Sequence, residues 1–285
     1  MTYWKSIVFR QPQSNEHPIL WNASLYFFGL GFLILTILAF FDHTTINGEM
    51  RWVKPWKFFL SIGVYTLTLE WLYRVYQHTE NLTQLNKGRV IIAVGMLIEA
   101  SLIFVQAARG VESHFNNATP LDSLIFAMMG IAITIVVLTA LYSGFVIWKS
   151  RKMATPAFSE AIVYGFVIMT LASFQGFVMT EPTPQQLQRM GSGEILSLVG
   201  SSFVGLTPES HHSTLPILGW SLEIGDYRIA HFIGLHALHF FLLLLLALSY
   251  FKIKSQLKIV RLSALAYLLL FLYAFLRAKQ GLFLM

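Results

Sequence analysis

Glu99, Gln106, Gln175, His236 and His239 stand inside long apolar stretches of the chain. An ionisable group at the centre of a bilayer costs about 2.5 to 3.5 kcal/mol even on a lenient insertion scale, so such groups are expected to face protein and find partners. At 1.5 Å per residue from the outer helix ends, Glu99 and His239 would lie roughly 15 Å deep, and Gln106 and His236 roughly 6 to 10 Å deep. Glu99 and Gln106 share a helix face, being seven residues apart, and His236 and His239 are neighbours three apart. The spacing predicts one polar pocket holding these five residues, with His114 and His231 at its mouth and the third and sixth helices adjacent.

Imidazole ligates haem, zinc, copper or iron. A metal held by His114 and His236, or a haem beside His236, would use it so, with Glu99 as a candidate catalytic base. His231 and His236 stand five residues apart, about 140° around a helix, and cannot both ligate one ion by simple stacking. A metal site on this helix would therefore need a ligand from elsewhere, such as His114, His43 or Glu99. The small residues Ala230, Gly234 and Ala237 let a helix or a flat cofactor approach the backbone, and helix packing is the commoner use. Asp226, directly before a helix, reads as its N-cap. His211 and His212 read as loop polarity, and Glu70 as the local partner of Arg74, four residues on.

The elements that must position these groups are membrane spans. Of the 285 residues 55% are hydrophobic and 12% charged, with mean hydropathy +0.61, which excludes an ordinary soluble surface. The absence of cysteine excludes disulfides, thiol catalysis and iron–sulfur clusters. The net charge of +6 lies mostly in short stretches between apolar runs, as topogenic charge does, so nucleic acid is not an expected partner. Membrane lipid is, together with a small-molecule or lipid ligand at the outer face.

Seven runs are long enough to cross about 30 Å of hydrocarbon: 24–41, 56–76, 89–110, 123–148, 160–180, 229–250 and 258–277. The expected fold is a single all-α integral membrane domain, a bundle of about seven transmembrane helices with one long outer loop, 181–228. That loop is too apolar to hang free, so it should fold back as a lid, with a short interfacial helix around 195–203. The first apolar run lacks a cleavage pattern of signal-peptide type and is expected to be retained. Of the 20 Lys and Arg, 12 fall on the side of the N-terminus, which places that end in the cytoplasm and the C-terminus outside.

The stretches RGVESHFNN (109–117) and GDYRIAHFIGLHALH (225–239) resemble two signature segments of a family of bacterial multi-spanning membrane proteins that has no assigned activity. The resemblance covers about 24 residues; the expected location is a bacterial inner membrane. The positions it marks for testing are Arg109, His114, Asn116, Asp226, Arg228, His231 and His236. Alkaline-ceramidase and progestin-receptor-like membrane hydrolases carry His-x-x-x-His on a late helix, a spacing this chain lacks. Three functions stay open: a haem or metal protein with a redox role, a metal-dependent membrane hydrolase, and a proton-coupled transporter using Glu99, His236 and His239.

Overall fold

The computed structural model describes residues 19–76, 78–205 and 213–284. The readings made for the N-terminal 18 residues and for His211 and His212 lie outside them. Helix makes up 72% of the chain, and the strands among the described residues are two-residue pieces. Nine α-helices are described: α1 (Ile19–Phe41), α2 (Val53–Val75), α3 (Leu82–Ala108), α4 (Pro120–Lys149), α5 (Pro156–Gln175), α6 (Pro184–Gly191), α7 (Tyr227–Leu235), α8 (Ala237–Tyr250) and α9 (Gln256–Lys279). Four strands, β1 (Thr45–Ile46), β2 (Glu49–Met50), β3 (Phe203–Val204) and β4 (Gly225–Asp226), form two antiparallel pairs, β1 with β2 and β3 with β4.

Five helical segments, beginning with α1, α3, α4, α5 and α9, are long and apolar enough to cross a membrane, and α7 with α8 make a sixth if counted as one span. The chain is thus a helical protein with the makings of an integral membrane protein. α2 matches α1 in length but is not in that set; it carries Lys54, Lys57, Glu70 and Arg74. The run 229–250, expected as one helix, is broken: α7 and α8 meet at 47°, with His236 closing one and opening the other.

Helix packing follows chain order with one division. α1, α2 and α3 pack together and α3 packs on α4, while α5 packs on α7, α8 and α9. The contact of α4 with α5 joins the two groups. α3 does not pack extensively on α7 or α8, so the expected adjacency of the third and sixth helices is replaced by loop contacts described below. Ala230 and Ala237 are fully buried, and a Cβ on Gly234 would come within 2.2 Å of the Ala172 side chain and 3.1 Å of Phe271. The small-residue stripe is therefore filled by α5 and α9, not by a flat cofactor. Gly234→Ala should cost about 1 to 3 kcal/mol through overpacking, whereas Gly130→Ala in α4, with nothing within 4 Å of the new methyl, should leave stability equal or higher. Thermal unfolding in mild detergent checks the contrast.

One end of the bundle is capped by the chain between α5 and α7. Its helix is α6, not 195–203, because Thr183 and Gln186 form a capping box with Pro184 in the first turn, whereas 195–203 is extended and pairs with neighbours. Val199 N–H donates to Phe115 O at 2.9 Å, Asn117 N–H to Ser197 O at 2.7 Å and Ser201 N–H to Met179 O at 2.9 Å. Gln186, buried, donates to the carbonyls of Leu198 and Gly200 and accepts from Gly200 N–H. Ile195, at 95% exposure, stays outside this packing.

The opposite half is closed by a dense core that includes Trp21, Leu72, Tyr73, Tyr76, Leu85, Ile92 and Phe158. Within it Glu70 does more than serve Arg74. Trp21 Nε1 donates to Glu70 Oε2 at 2.8 Å, and Arg89 pairs with the same carboxyl. The Arg89 guanidinium lies over the rings of Trp21 and Tyr73, 5.3 and 5.0 Å from their centroids. This knot fastens α1, α2 and α3.

Candidate functional site

The loop 109–119, between α3 and α4, carries the centre of the site. Thr119 caps α4: it accepts from Asp122 N–H at 3.1 Å and donates to Asp122 Oδ2 at 2.6 Å. Asp122 also accepts from Gln106 Nε2 at 3.0 Å and from Arg109 Nη1 at 2.7 Å. Asn116 Nδ2 donates to Glu112 O and its Oδ1 accepts from Ala118 N–H, both at 3.0 Å. Gln106, Arg109 and Asn116 therefore build the loop. Gly110 and Phe115, with φ of +75° and +62°, turn the chain on either side of His114. A bulky residue at positive φ is strained and persists only where its surroundings hold it.

The result is that His114, expected at the mouth of a pocket, is sent inward. Its ring centre lies 5.9 Å from Phe58 of α2 and 6.1 Å from Phe126 of α4. Its Nε2 stands 3.6 Å from Glu99 Oε1 of α3, longer than a hydrogen bond but within ion-pair range. On the other ring nitrogen, Ser113 Oγ lies 3.0 Å from Nδ1. The facing Glu99 carboxyl favours the Nε2–H tautomer, which leaves Nδ1 to accept the Ser113 proton. Glu99 is 4% exposed and its Oε2 has no hydrogen-bond partner. Desolvation first, and the charge of Lys54 next, push the His114 pKa below its ordinary 6.5 against the opposing pull of Glu99.

A depressed imidazole pKa means that the unfolded chain takes up a proton the folded chain refuses. His114 therefore destabilises the fold as pH falls below about 6.5. In His114→Asn the acid side of the stability–pH curve should be shallower; thermal unfolding between pH 7 and pH 5 measures the difference.

The remaining histidines lie on the bent span. His231 Nδ1 donates to Ala172 O of α5 at 2.8 Å, so its Nε2 is the acceptor. It lies within electrostatic range of His114, across the bundle from the 109–119 loop. The His236 and His239 rings are tilted 42° to each other with centres 5.2 Å apart, and the His236 ring centre lies 4.2 Å from that of Phe232. The His239 ring sits beside the Val64 carbonyl of α2, yet neither ring nitrogen completes a hydrogen bond. Gln175, 7% exposed, also has both amide atoms unpartnered.

The expected five-residue pocket is thus divided. Glu99 meets His114; Gln106 belongs to the Asp122 network; His236 and His239 meet each other; among the described residues no hydrogen bond, ion pair or ring contact joins these three groups. Asp226 caps α7 by accepting from Arg228 N–H at 2.9 Å, and Arg228 returns side-chain bonds to Asp226 while its guanidinium lies 4.6 Å from the Phe203 ring centre. Both are structural ties between cap and bundle. Among the described residues no three His, Asp or Glu gather around one point as a metal site requires, and His114 and His236, expected as co-ligands, share no contact. The donor set does not fit a metal centre, and the stripe beside His236 that was to admit a haem is occupied by α5 and α9.

Ser113 escaped the sequence reading, although it stands next to His114 in SHFN; only the inward turn of the loop makes the adjacency matter. Compared with protein-family models, with curated proteins and with solved structures, the chain matches none.

Proposed function

We propose that this chain is a seven-span protein of a bacterial inner membrane whose site, open to the outer face, performs general acid–base chemistry of hydrolytic type. His114 acts as the base and Glu99 orients it. The observation that carries the reading is the His114–Glu99 pair, a buried carboxyl facing a partly exposed imidazole beneath a strained loop, with a hydroxyl on the far ring nitrogen. A base kept neutral by burial is available for proton abstraction near neutral pH.

α2 serves as the seventh span, its charged groups being paired or placed near its ends. The 12-to-8 basic asymmetry puts the capped end outside, where the substrate would be a small molecule or a lipid head group. The inner half supports an enzyme over a conduit, because the polar groups of the outer half meet a packed core there, with the Glu70–Arg89 knot within it. Proton-coupled transport is the second reading, favoured by the unpartnered Gln175 and His239 at greater depth.

The protein in lipid nanodiscs should turn over at least one member of a panel of ester, amide and phosphodiester reporters. His114→Gln should reduce that rate by on the order of 10³-fold. Equal turnover by the variant would overturn the assignment. Proton uptake into proteoliposomes without any turnover would favour transport.

A further inference from the structure

We propose that the basic turns at the end of the bundle opposite the cap form a binding surface for the headgroups of anionic phospholipids. The inference goes beyond the acid–base reading and does not depend on it, since it concerns the other end of the helices.

Three observations carry it. The first is a concentration of unneutralised charge. The turn from α4 to α5 and the turn from α8 to α9 emerge side by side, because α5 packs on α9 and Arg261 holds Glu160 through hydrogen bonds of 2.8 and 2.6 Å, each within two turns of its helix start. Residues 149–160 and 251–261 carry seven cations and one carboxylate, and that carboxylate is the one Arg261 takes. Lys149, Arg151, Lys152, Lys252, Lys254 and Lys258 are exposed, and none has an ion-pair partner among the described residues. Glu80 stands nearby, in the turn whose Thr79 hydroxyl lies 2.6 Å from Ser150 Oγ, and pairs with none of them.

The second is an aromatic layer just inside the cations. Phe145 and Trp148 stack at 22° near the end of α4, and Tyr250 and Phe251 stand exposed at the end of α8. Lys149 Nζ lies 4.8 Å from the Phe145 ring centre, and the Arg151 guanidinium 4.5 Å from that of Trp148. Exposed rings of this kind sit at headgroup level. Stacking restrains the two cations in advance, so less freedom is lost when a phosphate binds them.

The third is a lysine where the backbone favours glycine. Lys252 has φ of +55°; its N–H donates to Ser249 O at 3.1 Å and Ile253 N–H donates to Leu248 O at 2.9 Å, closing α8 in the manner that usually employs glycine. Topogenic charge acts by number and has no need of a lysine at that position or of stacked cations. A headgroup phosphate accepting from both turns uses each of these features, and its acyl chains have the exposed Leu141 and Phe145 of α4 to lie against. Each Lys or Arg near an anionic surface contributes on the order of fivefold in affinity.

The test uses the full chain, delipidated in mild detergent and titrated with phosphatidylglycerol or phosphatidylcholine, with retained lipid counted by native mass spectrometry. The wild type should hold phosphatidylglycerol roughly tenfold or more tighter than phosphatidylcholine. K254Q should weaken phosphatidylglycerol binding on the order of fivefold, and K152Q with K254Q on the order of 25-fold, with unchanged melting profiles. K279Q, an exposed lysine at the other end of α9, should stay within about twofold. K252G should melt at the same or a higher temperature, because the left-handed turn is relieved, yet lose affinity on the order of fivefold. Equal retention of the two lipids by the wild type, or a loss in K279Q as large as in K254Q, overturns the proposal. Displacement of the lipid by equimolar glycerol 1-phosphate also overturns it, by marking a site for soluble anions.

Discussion

Arg89→Met should lower the stability of the protein by about 3 to 5 kcal/mol, the usual cost of removing one member of a buried ion pair. The Arg89 side chain is 4% exposed and shares the Glu70 carboxyl, itself 8% exposed, with Arg74 and the indole N–H of Trp21. Removing the guanidinium strands a carboxyl whose other cation, Arg74, is 38% exposed and attenuated by solvent. It also withdraws the cation from between the Trp21 and Tyr73 rings. Replacing the pair together, Glu70→Leu with Arg89→Met, should recover much of the loss, because well-packed apolar groups of similar volume often match a buried ion pair. Thermal or denaturant unfolding of the two singles and the double measures the coupling; additive losses would show that the pair does not act as a unit.

Asp226→Ala should cost on the order of 3 kcal/mol through the lost helix cap and the charged hydrogen bonds. It should also loosen the cap before the bundle unfolds. The Asp226 side chain is fully buried, accepts from Ser221 N–H at 3.0 Å and from Arg228 N–H at 2.9 Å, and is bonded by the Arg228 guanidinium. Its backbone pairs with Phe203 in the β3–β4 ladder. Without it the first turn of α7 loses its cap and Arg228 loses its main anion. Limited proteolysis is the discriminating measurement: cleavage between 195 and 226 should quicken in the variant while the helices stay resistant. Uniform resistance would place the anchoring of the cap elsewhere.

Apolar runs in the sequence revealed most of the helices, because a span needs only length and hydropathy and both are local properties. The break at His236 was not legible: Gly234, the weak helix former two residues before it, read as part of a packing stripe, and a glycine of that kind in an apolar run does not by itself announce a 47° bend. Depth counting put Glu99 and His239 at one level but carried no information about which helices adjoin. The pocket built on that level divided because α3 and α8 do not pack extensively on each other. His114 was marked by its residue type, and its inward path depends on Gly110, Phe115 and the Thr119–Asp122 cap acting together, a property of a folded loop that no single residue announces. Glu70 was read as a local partner of Arg74 because i,i+4 spacing is visible in sequence, whereas Arg89 and Trp21 reach it across 19 and 49 residues.

A span made in two pieces need not move as one. α8 is seated on α5, where a Cβ on Gly165 would meet the Leu238 backbone at 2.8 Å, and this seat resists sliding. α7 is joined through Asp226 to the strands of the cap, and it carries His231 against the carbonyl of Ala172. α7 is fastened separately, Ala230 being buried and Gly234 lying against Ala172 and Phe271, so each piece of the span has its own anchorage on α5 on either side of the joint at His236.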